Sequence, residues 1–275
     1  MSAQGSAVHD GSEVPRSRAK ITTRLVVVLA ALCACGVGLT IAVRPTPASH
    51  SLEGAAATTT SSPSIALTTT TISSVVPPVG LVAALRETTA SYRSPGGALA
   101  APIAPTWHGS PLFLPVIARV ADDLEVRLPT RPNGSTAWIS QTGIQLYYSP
   151  YRIVISLSAR HLMLFKDGVR VMDAPAGIGT AADPTPTGHF FVASFAKAPT
   201  AAWGSFVLVT SAHSNAITDW EESGDAVVAI HGPLGEGAEI GTTGALISHG
   251  CIRLHDSDLA RLRLVPDGSP IDIVA

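Results

Sequence analysis

The sequence predicts a mainly β protein with a short helix near its C-terminal end and a small β module ahead of the main unit. Three observations predict it. From about residue 106 onward the apolar residues come in short runs, several alternating at period two, the spacing of a half-buried strand. Turn signals separate the runs: Pro129, Pro132, Asn133-Gly134, Asp167-Gly168 and Pro266-Asp267-Gly268. The composition, 24 Gly and 21 Pro with 5% aromatics, suits strands and loops better than a helical bundle.

The 275 residues leave room for one or two domains. Arg16, Arg18, Lys20 and Arg24 lead into Leu25–Val43, LVVVLAALCACGVGLTIAV, 19 residues without a charge. As a helix rising ~1.5 Å per residue this run would be about 28 Å long, close to the bilayer hydrocarbon thickness. Only Arg44 follows it closely, so the positive-inside bias puts the N-terminus in the cytoplasm and the rest outside. Residues 1–24 are thus read as a cytoplasmic tail and 25–43 as a single-pass cell-membrane anchor. A lipoprotein signal, suggested by Leu32-Cys33-Ala34-Cys35, and a cleaved signal peptide are the alternatives.

Residues 44–105 read as a Thr/Ser/Pro/Ala-rich linker. Its stretch from Pro45 to about Pro78, with runs of threonine at 58–60 and 68–71 and a single acidic residue, Glu53, cannot bury enough surface to offset the entropy of ordering. Its last part, 79–105, reads either as a short helix around Leu81–Arg86 followed by spacer or as more linker. Residues 106–149 give the apolar runs Leu112–Val120, Leu124–Leu128, Ala137–Ile139 and Ile144–Tyr147, a small β-barrel. So short a unit is expected to pack on the next domain. Residues 150–275 form the main unit. Ile153, Ile155 and Leu157 alternate as in a strand. Leu162–Phe165 and Val169–Met172 flank Asp167-Gly168 as a hairpin. Phe190–Phe195, Ser205–Thr210, Ala226–His231 and Ile271–Val274 are further strands. Asp256 or Ser257 is placed to cap a helix over Asp258–Leu264 with Leu259 and Leu262 on its apolar face.

With 18 Lys+Arg against 20 Asp+Glu the net charge is −2, so the chain has no basic field and nucleic acid is excluded as the main partner. Of the three cysteines, Cys33 and Cys35 lie in the apolar run, which leaves Cys251 alone in an exported, disulfide-permissive compartment. A lone exported cysteine is either an inert core residue or a working thiol. Its neighbours favour the second: it lies in Ser248-His249-Gly250-Cys251-Ile252-Arg253, and 16 residues separate Ser248 from His231, which ends a strand. A thiol needs a base because it is only slightly ionised at neutral pH.

This pattern, His-x16-Ser-His-Gly-Cys-Ile-Arg, resembles the signature of the L,D-transpeptidases, the YkuD domain. Pro184-Thr185-Pro186-Thr187-Gly188-His189-Phe190 and Tyr151–Phe165 resemble other stretches of the same domain, so the likeness covers essentially all of 151–275. Residues 106–149 resemble, less specifically, the SH3-like or wall-facing module preceding this domain in actinobacterial members. The resemblance implies a YkuD-like β-sandwich and a peptidoglycan cross-linking enzyme without cofactor or metal. Its substrates would be stem peptides, a donor tetrapeptide and an acceptor amine, joined in 3→3 cross-links, with carboxypeptidase activity when water is the acceptor. It also implies that carbapenems acylate the enzyme. Carried over by position, Cys251 matches the nucleophile and His231 the general base. Gly232 matches the residue whose carbonyl orients that histidine. The amides of Gly250 and Cys251 would line an oxyanion hole, Ser248 and His249 would shape the pocket, and Arg253 would hold the donor carboxylate.

For Arg253 the structural alternative is an ion pair with Asp256 or Asp258, and for His249 it is packing. His255 reads as a surface or capping residue, and His213 reads as a loop residue or one facing the cleft. Gly177-x-Gly179 and Gly235-x-Gly237 read as flexible rims, with Pro233–Gly244 as a lid. A sortase-like transpeptidase shares the order His, Cys, Arg, but sortases carry Thr-Leu-x-Thr-Cys and an arginine well downstream. A zinc or wall-binding protein using His231, His249, Cys251 and His255 lacks the paired spacing such sites use.

Overall fold

The computed structural model describes residues 80–275. The tail, the apolar run at 25–43 and the linker up to 79 lie outside the described residues. No helix among the described residues is long and apolar enough to cross a membrane.

The first layer is a five-stranded antiparallel sheet. Its strands are β1 (Leu81–Ala84), β4 (Phe113–Val120), β5 (Asp123–Arg127), β6 (Thr136–Ser140) and β7 (Gln145–Tyr148), in the order β6-β5-β4-β1-β7. Two two-residue strands, β2 (Thr106–Trp107) and β3 (Ser110–Pro111), form a separate small hairpin. The sheet corrects the expected start of the module at 106 and the helix expected at Leu81–Arg86. Leu81–Ala84 is a strand between β4 and β7, with Val82 and Ala83 fully buried. An apolar run this short gains its order from partners on both sides rather than from helix formation, whose nucleation cost it cannot offset. The following segment is held as well: Thr89 exchanges backbone hydrogen bonds with Ile103, and Tyr92 with Trp138. Residues 80–105 thus belong to the module.

The second sheet has ten strands. They are β8 (Tyr151–Ser156), β9 (His161–Lys166), β10 (Val169–Pro175), β11 (Gly177–Gly179), β12 (Gly188–Ala196), β13 (Val207–His213), β14 (Val227–His231), β15 (Ala245–Ser248), β16 (Ile252–Arg253) and β17 (Pro270–Val274). Their order is β10-β9-β8-β17-β12-β13-β14-β16-β11-β15. The expected two layers are made by one sheet that curls. β12 is the corner: Gly188–Phe191 pair with β17, whereas Val192–Ala196 pair with β13 after a register shift. One core fills the curl, drawing Ile153, Ile155 and Leu164 from one end and Leu208, Ile230 and Ile252 from the other. Asp167 and Gly168 both have positive φ, 50° and 78°, as the tight turn of the β9–β10 hairpin requires.

Two short helices lie in the loops, α1 (Gly237–Ile240) and α2 (Asp256–Arg261). α2 starts two residues before the expected helix, with His255 at its cap position making no side-chain capping bond. A 3-10 turn, Leu262–Leu264, completes it, and Leu259 and Leu262 are fully buried. The strand expected at Ser205–Thr210 is displaced to Val207–His213. The two sheets share hydrophobic contact: Phe191 and Ala193, from the outer face of β12, complete the core of the five-stranded sheet. The fully buried Phe191 ring contributes about 2–3 kcal/mol of transfer free energy to that seam.

Candidate active site

Two parallel strands place the chemistry. β14 and β16 pair in register Ile230↔Ile252 and His231↔Arg253. Alternation sends Val228, Ile230 and Ile252 into the core, leaving Ala229, His231 and Arg253 on the other face. Cys251 precedes β16 by one residue and sits beside Ala229, whose amide donates to its Sγ at 3.5 Å. Cys251 and His231 therefore share a face, two register positions apart.

The imidazole is fixed in one tautomer. Nδ1 lies 2.8 Å from the Gly232 carbonyl, which can only accept, so Nδ1 carries the proton and Nε2 keeps its lone pair. Trp203 covers the ring, with centroids 4.4 Å apart. Burial pushes the imidazole down to about 4, helped by the Arg253 charge and opposed by the Gly232 hydrogen bond. Burial pushes the Cys251 thiol up, against the Ala229 amide. At neutral pH the two groups rest as a thiol and a neutral imidazole. Gly232 must be glycine: a Cβ there would meet Gly204 N at 2.6 Å and the Trp203 carbonyl carbon at 2.7 Å. Its amide donates to the Trp203 carbonyl at 2.8 Å.

The turn before Cys251 is braced from within and from outside. Ser248 Oγ accepts the Gly250 amide at 3.1 Å and donates to the Cys251 carbonyl at 2.5 Å. Gly250 has φ +111°, a conformation open to glycine. With no substrate present its amide is engaged by Ser248. Thr185 braces the turn from the Pro-Thr-Pro-Thr-Gly stretch. Its buried Oγ1 accepts from Gly179 N and donates to the Gly250 carbonyl, both at 2.9 Å. Gly177 and Gly179 are not a flexible rim. They form β11, buried between β15 and β16, and a Cβ on Gly179 would lie 2.3 Å from the Asp183 carbonyl.

The other sequence-derived residues fall outside the Cys251–His231 pair. His249 is exposed, 3.8 Å from Asp183 and packed at a tilt against Trp220 with centroids 5.4 Å apart. Arg253 is mostly buried and pairs with Glu236, not with Asp256 or Asp258, and its Nε has no partner. The segment 233–244, expected as a lid, carries α1 and is pinned by fully buried Ile240 and by the Glu236–Arg253 pair. His213 does not face the cleft: it is buried between Asp225 and the Pro129 carbonyl. No group of three or more His, Cys, Asp or Glu side chains is placed to hold a metal among the described residues. Trp203, Glu236 and Trp220 are site neighbours that sequence reasoning missed. Trp203 lies in Ala-Ala-Trp-Gly, which carries no chemical motif, and a tryptophan before a glycine was the one available signal.

Residues 150–273 match the YkuD family, the L,D-transpeptidase catalytic domain. The putative L,D-transpeptidase YkuD of Bacillus licheniformis is 28% identical over 125 residues, 45% of this chain and 66% of the relative. That of Bacillus subtilis is 28% identical over 128 residues, 46% of this chain and 68% of the relative. Among solved structures, an L,D-transpeptidase from Mycobacterium smegmatis is 19% identical with a TM-score of 0.35, covering 56% of this chain and 90% of that one. L,D-transpeptidase 3 from Mycobacterium tuberculosis, in complex with a faropenem-derived adduct, is 15% identical with a TM-score of 0.39, covering 62% and 76%.

Proposed function

We propose, for a chain whose residues 150–273 belong to the YkuD family of L,D-transpeptidase catalytic domains, that it cross-links peptidoglycan stem peptides through a thioester on Cys251. The observation that carries this reading is the fixed tautomer of His231, which leaves Nε2 with its lone pair on a residue that shares a strand face with Cys251. The relatives' alignments stop at 66–68% of their own length, so the substrates below are part of the proposal.

The thiol proton passes to His231 Nε2 as Sγ attacks the carbonyl of the third stem residue, a diamino acid. The tetrahedral oxyanion is met by the Cys251 amide, the Gly250 amide being engaged by Ser248. Collapse breaks the bond to the terminal D-alanine, whose amine takes the proton from the imidazolium. The side-chain amine of a second stem then attacks the thioester, giving a 3→3 cross-link and regenerating the thiol. With water in that place the outcome is carboxypeptidase activity. The neutral resting pair postpones charge separation until substrate arrives, which suits a thiol exposed to oxidants outside the cell. Arg253 is assigned to the donor carboxylate, which would share its guanidinium with Glu236. The apolar run at 25–43 supports a membrane anchor, with this domain facing the wall.

The test is incubation of the full chain with a purified disaccharide-tetrapeptide and mass spectrometry of the products. A dimer formed with loss of one D-alanine, and missing with Cys251→Ala, is expected. An unchanged substrate, or a product equally formed by Cys251→Ala, overturns the reading.

A further inference from the structure

The loop between β13 and β14, residues 214–226, is fastened at its roots by the five-stranded module. Arg131, on the turn between β5 and β6, donates Nε to Asp225 at 2.9 Å, Nη1 to the Ser214 carbonyl at 2.8 Å and Nη2 to the Ile217 carbonyl at 3.1 Å. Asn133 on the same turn closes a two-way pair with the His213 backbone, accepting its amide at 2.9 Å and donating to its carbonyl at 2.7 Å. His213 completes the joint, its ring nitrogens facing Asp225 and the Pro129 carbonyl. Burial pushes the Asp225 carboxyl up, but the hydrogen bonds from His213, the Ala226 amide and Arg131 outweigh it and hold it below its usual range. The contacts from Pro129, Arg131 and Asn133 span 80 to 94 residues in sequence, so they are tertiary.

The same loop ends at the site. At its tip Trp220 packs on His249, two residues before Cys251. The Trp220 amide bonds back to the Asp225 carbonyl at 2.9 Å, tying tip to root. Beyond Asp225 the chain enters β14, whose Ala229 amide donates to Cys251 Sγ. The module therefore touches a loop whose two outputs, the Trp220–His249 contact and the start of β14, both border the nucleophile.

We infer that Arg131 and Asn133 are positioning residues for the transfer reaction: from the N-terminal module they set the 214–226 loop, and through Trp220 the mouth over Cys251. This rests on the reading of Cys251 as the nucleophile. A module that merely stabilised the fold would slow every reaction of Cys251 alike. A module that sets the mouth slows only reactions of ligands that must be held there.

The experiment uses the full chain, with imipenem acylation of Cys251 followed by intact mass and iodoacetamide alkylation as the small-reagent control. Arg131→Ala should lower the acylation rate about 10-fold and leave alkylation within about twofold. Arg131→Lys, which cannot reach all three acceptors, should restore only part of the rate. In a Trp220→Ala background Arg131→Ala should cost nothing further. Equal penalties in both backgrounds, or alkylation falling in step with acylation, would overturn the inference. If Arg131→Ala does not fold, Asn133→Asp, which loses the donation to His213 but keeps the acceptor, takes its place with the same criteria. If imipenem fails to acylate Cys251 in the unaltered chain, the catalytic reading falls on its own account. Amide exchange then decides the joint: exchange over 214–226 faster by about 10-fold in the variant supports it, and unchanged exchange overturns it.

Discussion

Neighbouring strands β13 and β14 each finish on a buried histidine, 1% exposed at His213 and 2% at His231. The strands run antiparallel, so the two rings sit at opposite ends of the sheet. At His231 one nitrogen is tied to the Gly232 carbonyl and the other is left with its lone pair, on a residue that shares a strand face with Cys251. At His213 both nitrogens face acceptors, Asp225 and the Pro129 carbonyl, and nothing is left to take a proton from a substrate. Burial alone does not mark a catalytic histidine; an uncommitted nitrogen does. In the proposed mechanism His231 serves as the base, whereas His213 is a pin that joins the sheet to its neighbour.

Removing each ring in turn separates the two roles. His231→Ala should lower the acylation rate of the folded protein by roughly 10²–10⁴-fold, as expected for a lost general base. His213→Ala should instead cost about 2–4 kcal/mol in denaturant unfolding through two lost buried hydrogen bonds, with acylation of the folded protein reduced about tenfold or less. If the two variants exchanged these signatures, the assignment of roles would be inverted.

A smaller effect is expected from the brace on the nucleophile turn. Thr185→Val keeps the side-chain shape but strands the Gly179 amide and the Gly250 carbonyl. Stability should fall by about 1–3 kcal/mol, read by thermal melting, with a loss in acylation that Thr185→Ser reverses. Acylation at the native rate in the valine variant would show that the turn holds its shape without the brace.

The pair at the centre was legible in the sequence because it rests on local facts: a lone cysteine in a glycine turn, and a histidine ending an apolar strand. The hairpin at Asp167-Gly168 and the alternation of Ile153 and Ile155 were legible for the same reason. What escaped rests on distant pairing. Leu81–Ala84 looks like the end of a linker because four apolar residues among Pro, Gly and Thr carry no period. Its burial comes from Leu114 and Leu146, some thirty and sixty residues on. Trp203 reaches His231 across a loop, and Arg253 takes Glu236 rather than the nearer Asp256 because the chain after His231 turns back over β16. The Gly250 amide is engaged by Ser248, two residues away, a local contact that motif resemblance alone does not show.

In the proposed mechanism Cys251 and His231 rest as a neutral pair and Nε2 takes the thiol proton during attack. The pH dependence of Cys251 acylation by a stem tetrapeptide, kcat/KM by intact mass, tests it most directly. His231 titrates at about 4, so below that pH Nε2 is already protonated and the rate falls with acid. Above it the rate should run flat through neutrality until the raised thiol ionises on its own. His231→Ala should lose the plateau and climb with pH about tenfold per unit, following free thiolate. An unaltered enzyme that climbs in the same way through pH 5 to 8, with no plateau, would contradict the claim.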